Sequence, residues 1–540
     1  MKTNMSCDII RDKILGQGAF GKVYQGHYRN SGEKVVIKAM QNLDKLNSKE
    51  AKKWVRAACR DATYLSLVKN NGCNRCVQYI NTCNQNEEGI TIIMEYLGAE
   101  EGWIDIQTYN EFLHVIHAET NGSLHPNYNK LRQRFGELIF HRLFVTIASY
   151  GPLERLIALY NYGMATLTLH NIGIIHHDMK PANAMINVNT LDVKLIDFGA
   201  ACVFTLNGRL PRGLKRPSFI LPCSEFKFGT WWNDFIGSCS KALPITPKYA
   251  PPIFEHIIYN KGQGLKGIAP YFTNPETAFA ADTYTVIYSG LFMLLRPSDI
   301  TNQYSISSTE RSIMDYCRSH INDLPEDVPS LSDFLNMIMS DIHENLQNYI
   351  SIKEYKLASL LNNLQSKGKY LERITNGRDR RAKLTRKQLI HINDTKRDIG
   401  EQNIIYENET ARLRRFIDAF ESAKENSDLR ILIPELNPGR RIQAEKLFED
   451  MENMYLDEAS SSNNLLSNNQ TEVGSWSSAL DDVSIDLKTS SNNLLSNNQT
   501  EVGSWSLALD DINSNSTSGE IYKTPIDDDT QTSSMMTAYN

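Results

Sequence analysis

Alternation of apolar and polar positions divides the chain into stretches of different character. From about residue 10 to about 97, short β-branched runs dominate. Val35-Val36-Ile37 and Ile90-Thr91-Ile92-Ile93-Met94 are continuous enough to be core strands. Between them, residues 49–68 predict one helix ending on the apolar Tyr64-Leu65-Ser66-Leu67-Val68. A further strand at 193–196 runs into a turn at Asp197-Phe198-Gly199. The apolar density of 286–295 predicts a buried helix, too short to cross a bilayer. From about 350 to 450 helical spacing continues but turns basic, with Arg378-Asp379-Arg380-Arg381 and Arg412-x-Arg414-Arg415, which predicts a helical extension with a solvated charged face. Past about 455 the periodicity ends. Ser, Asn and Asp take over, and 461–482 recurs almost verbatim as 490–511, too few copies for a solenoid. So polar and acidic a stretch, 455–540, is predicted to be disordered, because it has little apolar surface to bury.

Candidate chemistry begins with Lys38. A lysine closing an apolar strand is costly unless an anion meets it. Upstream lies Gly16-x-Gly18-x-x-Gly21-x-Val23, whose glycines let backbone amides approach phosphate oxygens. Alone it would read as a glycine-rich hairpin turn, and Lys38 tips the balance towards phosphate. Downstream, IIHHDMKPAN sets Asp178, Lys180 and Asn183 at the spacing of a phosphoryl-transfer loop, and Asp197 follows. A base, a cation and two oxygen donors for a hard metal ion are thereby gathered in one order along the chain.

With all four motifs in that order, residues 10–345 resemble a eukaryotic-type serine/threonine protein kinase domain. The resemblance implies an α+β, two-lobed fold: a small antiparallel β lobe at about 10–97 and a large helical lobe at about 98–345. A helical extension at 350–450 and a disordered tail at 455–540 would follow. Implied roles are Gly16, Gly18, Gly21 and Val23 around ATP, Lys38 on its phosphates, and Glu95 and Leu97 in the hinge that meets adenine, after Met94. Asp178 would accept the substrate proton, Lys180 steady the γ-phosphate, Asn183 and Asp197 bind Mg²⁺, and Thr246 contact Asp178 and Lys180. Asp282 resembles the carboxylate that braces the catalytic loop.

Several positions depart from the family pattern. The glutamate that should hold Lys38 is replaced by Asp61, one methylene shorter, with Glu50 as a competing choice. His177 stands where an arginine usually meets a phosphorylated activation loop, which implies a kinase independent of that phosphorylation or one whose His177 charges only at lower pH. The activation segment, 197–252, is about twice the family length and carries Trp231-Trp232. After Ala250-Pro251 the expected glutamate is missing, and so is its late arginine partner. Losing both members of a buried pair is cheaper than losing one, consistent with a working variant. These departures keep a pseudokinase scaffold, binding nucleotide without turnover, as the alternative. An insertion at about 107–146 reads as helical elaboration or as surface loop.

Composition alters this little. The chain has 540 residues, 41% apolar, with a net charge of −6, a mild value that argues against nucleic acid as the main partner. Protein substrates are expected, and the tail reads either as a docking segment for a protein partner anchored on Trp476 and Trp505 or as a duplicated linker without contacts. No leader, lipidation site or spanning segment is read, so the cytoplasm is expected, a host's if the chain is a microbial effector. The nine cysteines read as reduced thiols, although Cys73-x-x-Cys76 with Cys83 raises a zinc alternative.

Overall fold

In the computed structural model, the described residues are 8–18, 21–39, 48–85, 89–120, 122–123, 125–204, 246–260, 264–272, 274, 277–294, 308–376, 385–426 and 428–432. The long middle of the activation segment with Trp231-Trp232, the end of the extension and the tail with its duplicated segment lie outside them.

The N-terminal region is an antiparallel five-stranded sheet in the order β1-β2-β3-β5-β4. Its strands are β1 Ile9–Gly18, β2 Gly21–Tyr28, β3 Lys34–Ala39, β4 Tyr79–Gln85 and β5 Gly89–Glu95, with helix α1, Ser48–Asn70, between β3 and β4. Strand alternation decides which face each side chain takes. Val35 and Ile37 join Cys83 and Ile93 in an apolar cluster on one face. Lys38 pairs with Ile92 and Val36 with Met94, so these four share the other face, and Ile92 and Met94 belong to the main core. On α1 the buried stripe runs Ala58, Asp61, Ala62, Leu65, Val68, a helical spacing that places one carboxylate within an apolar seam.

The rest of the described fold is mainly helical. β6 Trp103–Asp105 leads to α2 Ile106–Thr120, α3 Asn127–Phe135, α4 Glu137–Ala148 and α5 Pro152–Asn171. The insertion is thus three helices, and Tyr109, Phe112, Leu131, Phe140 and Leu143 bury it in the main core. Four short strands follow: β7 Ile174–Ile175, β8 Ala184–Asn187, β9 Val193–Leu195 and β10 Cys202–Val203. They form a three-stranded sheet β6-β8-β9 and an antiparallel pair β10-β7. Beyond come α6 Pro252–Glu255, α7 Ala280–Leu294, α8 Ser308–Ser319, α9 Leu331–Asn376 and α10 Arg386–Asn426.

Helix α9 passes unbroken through residues 345–350, where the extension was expected to begin. Ring contacts His343–Phe420 and Tyr349–Phe416 and the ion pair Lys367–Asp398 show that α10 runs back antiparallel along it. The return ends on the body of the fold: Leu429 and Leu432 are fully buried, and Arg430 Nη1 donates to Asp192 Oδ1 at 2.8 Å. No described helix is long and apolar enough to cross a membrane. The expectation of reduced thiols throughout is corrected: Cys83, in the sheet cluster of Val35 and Ile37, and Cys202, in the cluster of Ile175 and Phe254, each stand in a disulfide, while Cys73, Cys76 and Cys317 are free. An odd cysteine count says nothing about which sulfurs a fold brings within bonding distance.

Candidate active site

Lys38 lies between two carboxylates. Its Nζ donates to Asp61 Oδ2 at 2.7 Å and to Asp197 Oδ1 at 2.8 Å. Burial works against the ammonium, but the two anions outweigh it and raise its pKa, so it is charged at neutral pH. Asp61 is raised by its own burial, which Lys38 opposes. Lys38 holds Asp197 down to about 2. The Asp197 side chain remains 46% exposed, so one ammonium leaves carboxylate oxygen available on the open side. Asp61 also receives the Phe198 N–H on Oδ1 at 3.1 Å, which ties α1 to the turn that carries Asp197. The shorter acid therefore reaches Lys38, while the side chain of Glu50 lies outside the described residues.

Around Asp178 a second cluster forms. Lys180 Nζ donates to Asp178 Oδ2 at 2.8 Å and to Thr246 Oγ1 at 3.3 Å. Thr246 Oγ1 donates to Asp178 Oδ1 at 2.5 Å. Asn183 Nδ2 donates to the Asp178 carbonyl at 2.8 Å and to its Oδ2 at 3.1 Å, so the Asn183 amide oxygen is not consumed by these bonds. Ile196 joins the two clusters. Its N–H donates to Asn183 O at 2.9 Å, its carbonyl accepts from His176 Nε2 at 2.9 Å, and Asp197 is the next residue.

The backbone that aims these groups is strained and held in place. His177 and Asp197 have φ of 71° and 62°, positive values that cost non-glycine residues about 1–3 kcal/mol each. Asp282, at the start of α7, accepts the His176 N–H at 2.7 Å and the His177 N–H at 3.0 Å. Burial disfavours its charge, but hydrogen bonds led by that from His170 keep its pKa below the usual carboxylate value. The His177 ring is buried against Phe272, with centroids 4.1 Å apart.

The glycine motif is the β1–β2 hairpin itself, with Gly16 opposite Val23 and Gly18 opposite Gly21. A Cβ on Gly16 would meet nothing within 4 Å, so that backbone borders open space. In the hinge, the Glu95 carboxylate is committed to structure, accepting from Gln78 N–H at 2.6 Å and from Lys194 Nζ at 2.6 Å. The Glu95 main-chain N–H is committed as well, donating to Gln78 O at 3.0 Å. Beyond Thr246, Ala250, Phe254 and Ile257 pack with Ile268, Phe272 and Ala281 in an apolar cluster, where the sequence lacks the family's glutamate. Lys194, Phe272 and the link through Ile196 were not singled out from sequence. Lys194 lies in a recognised strand, but nothing local signals a partner 99 residues away.

The donor set suits magnesium: Asp197 and Asn183 present hard oxygens, and magnesium takes only one or two protein ligands beside substrate phosphates. Among the described residues no three of His, Cys, Asp and Glu gather as a metal cage.

Comparison with known proteins points the same way. Residues 9–209 match the family described as protein tyrosine and serine/threonine kinase. The human serine/threonine-protein kinase MRCK gamma is 26% identical over 257 residues, 45% of this chain and 14% of that protein. Serine/threonine-protein kinase mos of Patiria pectinifera is 25% identical over 292 residues, 54% of this chain and 64% of that protein. The chain thus spans less than two thirds of the length of either relative. Motif order, family match and the convergence of Lys38, Asp178, Asn183 and Asp197 lie within one segment, residues 9–209, which is similar to the protein kinase family.

Proposed function

We propose that the chain is an active serine/threonine protein kinase, moving the γ-phosphate of ATP to hydroxyls of protein substrates. One observation carries the reading: the Lys38–Asp61–Asp197 and Asp178–Lys180–Asn183–Thr246 clusters meet at Ile196. Asp61 does the work of the family's glutamate, so Lys38 is fixed for the α- and β-phosphates. Asp178 takes the proton of the substrate hydroxyl as its oxygen bonds to phosphorus and the bond to ADP breaks, a role worth ~10²–10⁴ in rate. Lys180 balances charge on the transferred group. Asn183 and Asp197 would hold magnesium, which supplies hard positive charge to the phosphate oxygens. Gly16, Gly18, Gly21 and Val23 would cover the nucleotide, with Glu95 and Leu97 backbone groups on adenine. The burial of His177 against Phe272 supports independence from activation-loop phosphorylation, since the ring serves packing rather than phosphate capture.

Transfer of label from radioactive ATP to a generic protein substrate tests the proposal, with intact chain compared against Asp178→Asn. Incorporation by the intact chain and its loss in the variant is the expected result. Nucleotide binding with no incorporation in either would make the chain a pseudokinase scaffold instead.

A further inference from the structure

Cys73 and Cys76 take no part in the chemistry above, yet their sulfurs are 2.9 Å apart. Both are buried, at 2% and 0% exposure. Zinc does not explain the pair: Cys83 is disulfide-bonded, and no third ligand gathers among the described residues. The loop carrying them follows α1, which bears Asp61, and clamps the end of β9. Arg75 O accepts the Leu195 N–H at 3.0 Å, and Val77 N–H donates to Leu195 O at 2.9 Å, two residues before Asp197. Gln78 Nε2 donates to both cysteine carbonyls, at 3.2 and 2.9 Å, which fixes the backbone of the motif with its side chains facing each other.

We propose that Cys73 and Cys76 are a redox modification site, a dithiol that closes to a disulfide under a peroxide-class oxidant. Closure from 2.9 Å to the S–S length of about 2.05 Å asks for less than about 1 Å of movement, within reach of side-chain rotation. The Cys73 thiolate attacks one peroxide oxygen, giving a sulfenic acid and releasing water. The Cys76 sulfur then attacks the Cys73 sulfur and expels a second water, so two thiols and one peroxide become one disulfide and two waters. The division of labour follows the surroundings: the hydrogen bond from Cys76 lowers the Cys73 pKa, and burial keeps Cys76 protonated until it resolves the intermediate. This inference is independent of whether the chain transfers phosphate.

The test is peptide mapping of the full chain, treated with hydrogen peroxide, denatured with an alkylating reagent and digested without reductant. Cleavage after Arg75 and Tyr79 places Cys73, Cys76 and Cys83 on separate peptides. The expected product is a 70–75 peptide linked to a 76–79 peptide, lighter by two hydrogens than the free pair, absent before peroxide and removed by dithiothreitol. Cys76→Ser should abolish the link while the Cys83 peptide stays as in the parent. Recovery of Cys73 and Cys76 as separately alkylated or over-oxidised peptides overturns the proposal, and so does a link from Cys73 to any other cysteine. Cys73→Ser, read by disappearance of the same linked product, serves if the first variant does not fold.

Discussion

Two regions flank Asp178 and are built on opposite physics. On the side of Lys38, charge is concentrated where burial penalises it: Lys38 lies between Asp61 and Asp197, with Asp282 buried beneath His176 and His177. On the other side, the stretch after Thr246 is held by the apolar packing of Ala250, Phe254, Ile257 and Phe272. Replacing a buried ion pair by well-packed apolar groups is often neutral or stabilising. Buried charge is kept where it meets an opposite charge or main-chain donors, at Lys38 and at Asp282, while the stretch after Thr246 is packed by apolar groups. Asp61 is one methylene shorter than the family's glutamate and still makes the contact with Lys38.

The largest effects should come from the charged side. Asp178→Asn is expected to lower label transfer by ~10²–10⁴ with a thermal midpoint near the parent's, and Lys38→Ala by at least ~10² with a lower midpoint, because the buried Asp61 loses its partner. Wild-type transfer rates in folded variants would erase the distinction between the two regions. Phe254→Ala should do the converse, costing about 3–5 kcal/mol in denaturant unfolding through the cavity it leaves, while the nucleotide affinity of the folded fraction is retained. A loss below about 1 kcal/mol would show that the apolar seat is not what holds this segment.

Arg430→Ala examines how the extension is fastened. It removes the 2.8 Å bond to Asp192, and because Arg430 is 32% exposed the expected cost is about 1.5 kcal/mol, the low end for a charged hydrogen bond. Melting of the α9–α10 pair apart from the rest would contradict the shared core of Phe416, Phe420 and Leu429. The smallest effect concerns pH. Asp197 is held down to about 2 in the fold, below about 3.9 in an unfolded chain, so the folded state binds fewer protons there. Its contribution is complete above the unfolded value and fades as pH falls towards 2. Asp197→Asn should flatten the acid side of the stability profile between about pH 4 and 2, and a variant profile parallel to the parent's would remove Lys38 as the cause.

Much of this was legible along the chain. Strand alternation decided that Lys38 leaves the face of Val35 and Ile37, and helical spacing put Asp61 on the same stripe as Leu65 and Val68. The catalytic loop was readable because its groups lie within a few residues, so spacing stands in for geometry. By contrast, the choice of Asp61 for Lys38 depended on how closely α1 meets β3. The packing of His177 on Phe272, the commitment of the Glu95 side chain to Lys194 and the docking of Arg430 on Asp192 join residues 95, 99 and 238 positions apart. No local pattern encodes such pairs.

The sequence by itself determined the element types, the order of the motifs and the chemistry of the reacting groups, because these follow from periodicities of two and 3.6 and from residue type. Only the tertiary structure decided which carboxylate meets Lys38, that the insertion and extension share the main core, and that two thiols of a four-residue motif face each other. Those outcomes depend on the relative placement of elements, and a difference of about an ångström there decides between a bond and none.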